Sequence, residues 1–138
     1  MGVLIVNRWA SNDALVSTLG PMNIEAFEAE VDAILASLPP WVNAKIDNLI
    51  VVVERRPTPA QDATRTSLLG LYEGVSLADR GVDYFAAAPD QITVFYEPHI
   101  ALGLRPDDLR SEIRTTVLHE LGHHLGIDDR RLHELGWA

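Results

Sequence analysis

The order of patterned segments predicts an α+β domain: a mixed sheet of three to four strands, with a long helix before it and two helices after it. Three observations predict this. Residues 23–38 carry apolar side chains at helical spacing, Leu49–Glu54 and Gln91–Tyr96 are short β-rich runs, and the chain returns to helical spacing from Pro106 to a break at Gly126.

In the first helix Asn23 is the expected N-cap, with Ile24, Phe27, Val31, Ile34, Leu35 and Leu38 facing inward and Glu25, Glu28, Glu30 and Asp32 interleaved. Pro39-Pro40 is expected to end it. Leu49-Ile-Val-Val-Val-Glu54 has the β-branched composition of a buried strand. Leu68–Glu73 is a weaker strand, and its Gly70 suits an edge where another backbone comes close. Gln91–Tyr96 alternates and is expected to stop at Pro98. Asp107 or Asp108 is expected to cap the helix that ends at Gly126, and Asp129–Leu135 reads as a last short helix. Residues 1–21, broken at Gly20-Pro21, read as an extension in which only Val3–Val6 could form a strand, which leaves 22–138 as a single domain.

Composition excludes several functions. With 138 residues the chain supports one core, and 47% hydrophobic against 22% charged residues is ordinary for a soluble domain. A net charge of −9, with basic residues no denser than pairs such as Arg55-Arg56, argues against nucleic acid and anionic membrane as partners. The absence of cysteine confines any metal to His, Asp and Glu ligands. The N-terminus has neither a basic start nor a long apolar run, so a cytoplasmic protein is expected.

Chemistry concentrates in T-V-L-H-E-L-G-H-H-L-G-I-D-D-R-R-L-H-E-L-G-W, residues 116–137, which holds four of the five histidines. On a helical wheel Ile113, Val117, Leu118, Leu121 and Leu125 form a broad buried arc. His119 and His123, four residues apart, share another face one turn apart, a separation from which both imidazoles reach one tetrahedral cation. Glu120 lies beside that position without ligating it, where it can act as a general base. Gly126 allows the turn out of the helix that brings Asp128 or Asp129 back toward the metal.

The string His119-Glu120-Leu121-Gly122-His123-His124-Leu125-Gly126-Ile127-Asp128-Asp129 resembles the metzincin zinc peptidases, H-E-x-x-H-x-x-G-x-x-H or its Asp variant. From about Met22 to Trp137 the chain is similar to a family of small bacterial zincin-like metallopeptidase domains, matched by the L-I-V-V-V-E strand, L-L-G-L-Y-E-G, the I-T-V-F strand and the motif itself. The resemblance implies zinc held by His119, His123 and Asp129, Glu120 as catalytic base, and a peptide or protein substrate cleaved by a zinc-activated water. It further implies that an extended substrate adds to an edge strand, which places Leu68, Gly70 and Tyr72 in the substrate-binding role. Metzincins carry a methionine turn after the motif, whereas the methionines here are Met1 and Met22, so the floor of the site must be built otherwise.

The remaining polar residues of the region have simpler roles. His124, on the core-side arc, is expected to be a hydrogen-bonded structural histidine. Asp129 or Asp128 can cap the last helix, dividing ligand and cap between them. His133 is expected at the surface or behind the ligands, His99 in an exposed loop, Glu134 as a solvated charge, and Trp137 packing the last helix onto the domain. Two other functions compete: a zinc-stabilised binding or regulatory domain without catalysis, and a metal-dependent RNA endonuclease. Glu120 and the acidic charge stand against the nuclease.

Overall fold

Asn23 opens the first helix as expected, its side chain accepting from the Ala26 N–H at 2.8 Å. The computed structural model describes residues 3–7, 22–62, 68–82, 84 and 88–137. Among these the elements are β1 (Val3–Asn7), α1 (Ile24–Ala36), α2 (Pro40–Lys45), β2 (Leu49–Glu54), β3 (Gly70–Glu73), a 3₁₀ turn (Leu77–Asp79), β4 (Asp90–Phe95), α3 (Tyr96–Ile100), α4 (Pro106–Leu125) and α5 (Asp129–Leu135). None of the described helices is long and apolar enough to cross a membrane.

The sheet has four strands in the order β1-β2-β4-β3. β1, β2 and β4 run parallel, and β3 runs antiparallel along the edge. The fold is therefore the expected α+β one, with the third patterned segment interior and Gly70–Glu73 outermost. Val3–Asn7 pairs in register with Leu49–Val53; the rest of residues 1–21 lies outside the described residues.

Register decides which side chains meet the helices. Val51 pairs with Ile92 and Val53 with Val94, and across the next ladder Tyr72 pairs with Ile92 and Gly70 with Val94. Because strand side chains alternate, these six share one face of the sheet. That face is packed by Phe27, Val31 and Ile34 of α1 and by Ile113, Val117 and Leu121 of α4. The long helix α4 thus lies across β4 and β3 with its apolar arc inward, and its polar arc emerges at the β3 edge.

Several boundaries differ from the expected ones. Pro39-Pro40 does more than end a helix: α1 closes at Ala36, and Pro40 opens α2, whose first position needs no N–H. Neither Asp107 nor Asp108 caps α4. Arg105 occupies the cap position without a side-chain bond, Pro106 takes the first helical position, and Asp107 pairs with Arg110 at 2.8 Å. Tyr96 leaves the strand to begin α3, a turn that accommodates Pro98 near its start.

His99, expected in an exposed loop, is fully buried in α3. Its Nδ1 lies 2.7 Å from the Phe95 carbonyl and its Nε2 2.9 Å from the Thr116 hydroxyl of α4. The carbonyl can only accept, so the proton of the neutral ring sits on Nδ1. Phe27 packs edge-on against the ring, with centroids 5.3 Å apart. A lone His after Pro98 gives no local sign of this; the partner lies 17 residues away.

Burial holds the His99 pKa below its usual value, against the opposing pull of the Phe95 carbonyl. The unfolded chain therefore takes up the proton first. This contribution to stability is complete above about pH 6.5 and is lost as pH falls from there through the depressed folded value. Urea midpoints of the metal-free protein are expected to fall between pH 7 and pH 5, and His99→Gln is expected to flatten that slope; an unchanged slope would show that the imidazole carries none of it.

Candidate metal centre

The site is built by the last two turns of α4 and the first residue of α5. The ligating atoms of His119, His123 and Asp129 lie within 4.8 Å of one another. The two Nε2 atoms are 3.2 Å apart. Zinc with arms of about 2.0–2.1 Å holds two tetrahedral ligands about 3.3 Å apart, so this separation fits one cation between them. Two imidazole nitrogens and a carboxylate oxygen are also donors that zinc accepts.

Local structure explains how Asp129 arrives. Gly126 adopts φ 80°, the left-handed conformation that closes α4. The Gly126 N–H bonds the His123 carbonyl and the Ile127 N–H reaches back to the Gly122 carbonyl at 2.9 Å, which together form a Schellman closure. A Cβ on Gly126 would also meet the Cβ of Ala78 at 2.5 Å, so the 3₁₀ turn after β3 can lie directly against it. Asp128 then caps α5, accepting from the Arg131 N–H at 2.8 Å. The two aspartates divide the work: Asp128 caps, and Asp129, exposed at the first turn, groups with the histidines. Gly122 is buried against Leu132, which lets α5 dock close to α4.

Glu120 points into the groove between α4 and β3. Burial raises its pKa, opposed by the nearby His119 charge and by the Tyr72 backbone. The His123 pKa is lowered by burial and by the His119 charge, with Asp129 pulling the other way, so its ring stays free of a proton that a cation would have to displace. Two hollows flank Glu120 along the strand edge. One, of about 670 Å³, is lined by Leu71, Tyr72, Ser76, Asp79, His123 and Ile127. The other, of about 340 Å³, is lined by Leu69, Glu112, Thr115, Thr116 and His119.

Leu68, Gly70 and Tyr72 all border the larger hollow. Leu68 precedes the strand, which starts at Gly70. A Cβ at Gly70 would meet the Thr116 methyl at 2.6 Å and Glu120 Cγ at 3.2 Å. What comes closest to this glycine is therefore α4 side chains, with the Thr93 carbonyl of the β4 backbone next at 3.4 Å. Tyr72 stacks against His123, with centroids 6.4 Å apart and planes 22° from parallel.

His124 is the structural histidine expected. It is fully buried, its Nδ1 2.8 Å from Asp90 Oδ2 and its Nε2 accepting from the Asp47 N–H at 3.3 Å. His133 is exposed, and Glu134 pairs with Arg130 and Arg131 at the surface. Trp137 packs on the core and stacks on Trp41 at 6.1 Å. Asp90, Arg80 and Asp47 escape sequence reasoning: each stands in or beside a loop, and only a charged residue at the mouth of a β-rich run hints at Asp90.

Asp129→Ala is expected to lower zinc affinity about 10-fold or more, measured by competition with a chromogenic chelator. Asp128→Ala removes a cap worth about 1 kcal/mol and should lower thermal stability while zinc binding stays within a few-fold. The reverse result would move the ligand to Asp128.

No curated protein matches the chain. Among solved structures, a conserved hypothetical protein from Thermo thermophilus has a similar fold, with a TM-score of 0.50 and 24% identity over 75% of this chain and 94% of that one. The family model described as zincin-like metallopeptidase matches residues 46–137, a span that contains β2, the β3 edge, β4, both groove walls and the His119, His123 and Asp129 group. By that match the chain belongs to the zincin-like metallopeptidase family.

Proposed function

We propose that the protein is a zinc-dependent metalloendopeptidase. The observation that carries this reading is the grouping of His119, His123 and Asp129 within 4.8 Å, with the Glu120 carboxylate beside it in a groove along an edge strand. Three protein donors leave a tetrahedral cation one position for water or substrate. Zinc bound there supplies Lewis acidity, polarising a carbonyl and making water more acidic.

The chain's own residues supply the rest. Glu120 takes the proton of the attacking water and hands it to the leaving amine, and its raised pKa suits both transfers near neutral pH. Among the described residues β3 pairs on one side only, so an extended peptide can add to its outer edge with residues in both hollows. Tyr72 stays protonated, since burial and the Asp90 carboxylate push its phenol well up, and it presents a neutral ring to the groove. Among the described residues, Asp79, Glu112 and Glu120 are the charged ones lining the two hollows, which favours neutral or basic substrate side chains.

Glu120→Gln tests the reading. The variant is expected to bind zinc as the wild type does and to lose 100-fold or more of its peptide hydrolysis, in the range of about 10²–10⁴ that general-base catalysis supplies. Full hydrolysis of a peptide library by the variant would remove Glu120 from the mechanism.

A further inference from the structure

We propose that Asp90 is a positioning residue for the metal site, its carboxylate tying the edge strand, the metal helix and the loop between β3 and β4 to one buried point. The inference rests on the hydrolytic reading above and adds to it the group that sets the strand-to-helix spacing.

Asp90 is 1% exposed, at the first position of β4. Its Oδ2 accepts from the Tyr72 phenol at 2.6 Å, from His124 Nδ1–H at 2.8 Å and from Arg80 Nη2 at 3.0 Å. Its Oδ1 accepts from the Val75 N–H at 3.1 Å. A carboxylate so satisfied is charged and immobile, and burial, which would raise its pKa, is outweighed by these donors.

Each donor continues to a wall of the groove. Tyr72 stacks on His123 with its ring and lines the same hollow as Glu120, so one residue borders both a proposed ligand and the proposed base. His124 directly follows His123, and its second nitrogen is held by the Asp47 N–H, which fixes the rotation of α4 at the ligand. Arg80 also bonds Asp47 at 3.1 Å and lies 4.1 Å over the Tyr84 ring. It follows the 3₁₀ turn whose Ala78 abuts Gly126. Gly74, beside this loop, has φ 149°, and a Cβ there would meet Asp90 Oδ1. Asp90 touches neither the reacting atoms nor the metal; it acts through Tyr72 and His124.

The test uses the full chain with Asp90→Asn and Tyr72→Phe, and Ile34→Ala as a core variant away from the site. Asn keeps the shape but replaces one accepting oxygen with a donor. Phe keeps the ring and removes one oxygen. Zinc affinity is measured by chelator competition, ligand geometry by the visible spectrum of the cobalt-substituted protein, and strand-to-helix register by hydrogen exchange of the Tyr72 amide in the metal-free protein. Both site variants are expected to lose on the order of 10-fold in zinc affinity, to shift the cobalt bands and to exchange the Tyr72 amide faster. Ile34→Ala should lower the melting temperature without moving any of the three.

Wild-type cobalt bands, zinc affinity within two-fold and unchanged exchange in both site variants would overturn the proposal. Should Asp90→Asn fail to fold, Tyr72→Phe decides by the same criteria. A wild type that binds cobalt and cleaves no peptide would sink the hydrolytic reading and leave Asp90's role standing. A wild type that cleaves peptides, with variants indistinguishable from it at the metal, would sink Asp90's role alone.

Discussion

The site depends on how closely α4 can lie against its neighbours, and three glycines set that distance. Gly70 admits Thr116 and Glu120 to the face of β3, Gly122 admits Leu132 of α5, and Gly126 admits Ala78 of the 3₁₀ turn. Core packing is dense enough that one added methyl must displace something. Ala78 presents its backbone and Thr116 is β-branched, so neither can rotate away as a long side chain could. A helix held a methyl's width further out would carry Glu120 away from β3 and open the turn that brings Asp129 back. The hydrophobic arc of α4 holds the helix to the sheet, and the missing Cβ atoms let the fit close to the distance the site needs.

Close packing has an electrostatic consequence. Behind the groove wall lies a buried carboxylate, Asp90, whose isolated burial would cost several kcal/mol. Four donors offset that cost, and they come from β3, the β3–β4 loop and α4 rather than from one element. An apolar core residue at this position could fill the volume, but it would leave the Tyr72 hydroxyl, the Arg80 guanidinium and a ring nitrogen of His124 without this acceptor. Asp90 is the member of this cluster that the others share, so its loss removes an acceptor from Tyr72, Arg80, His124 and the Val75 N–H at once. The cluster stiffens the strand edge, the loop and the metal helix together, which no contact within a single element could do.

The sequence made legible those features that repeat locally. The helical arc of α1, the β-branched β2 and the i, i+4 histidines are all periodic, and each stands where its pattern puts it. The grouping of an aspartate with the two histidines was legible to within one residue, because a glycine at the end of a helix has one common conformation: Asp128 caps α5 and Asp129 comes beside His119 and His123. Long-range partners were not legible. His99 reads as exposed because it follows Pro98 where a loop is expected; its environment is made by Phe27 and Thr116, distant in the chain. The start of α4 was misread for a different reason: Asp107 and Asp108 have capping chemistry, but Pro106 fixes the backbone one residue earlier.

Asp129, the proposed third ligand, sits on a different helix from His119 and His123, and this makes the geometry of the site a property of the α4–α5 junction. His119 and His123 are fixed relative to each other by one helical turn, whatever the rest of the protein does. Asp129 is fixed only through the Gly126 closure, the Asp128 cap and the anchoring of α5. That anchoring is made by Leu132, fully buried against Gly122, and by Trp137, which a second left-handed glycine at Gly136 turns back onto Trp41. An exposed carboxylate at the first turn of a seven-residue helix has little else to restrain it. A bound cation would therefore contribute to stability as well as chemistry, since closing His119, His123 and Asp129 around one ion also staples α5 to α4.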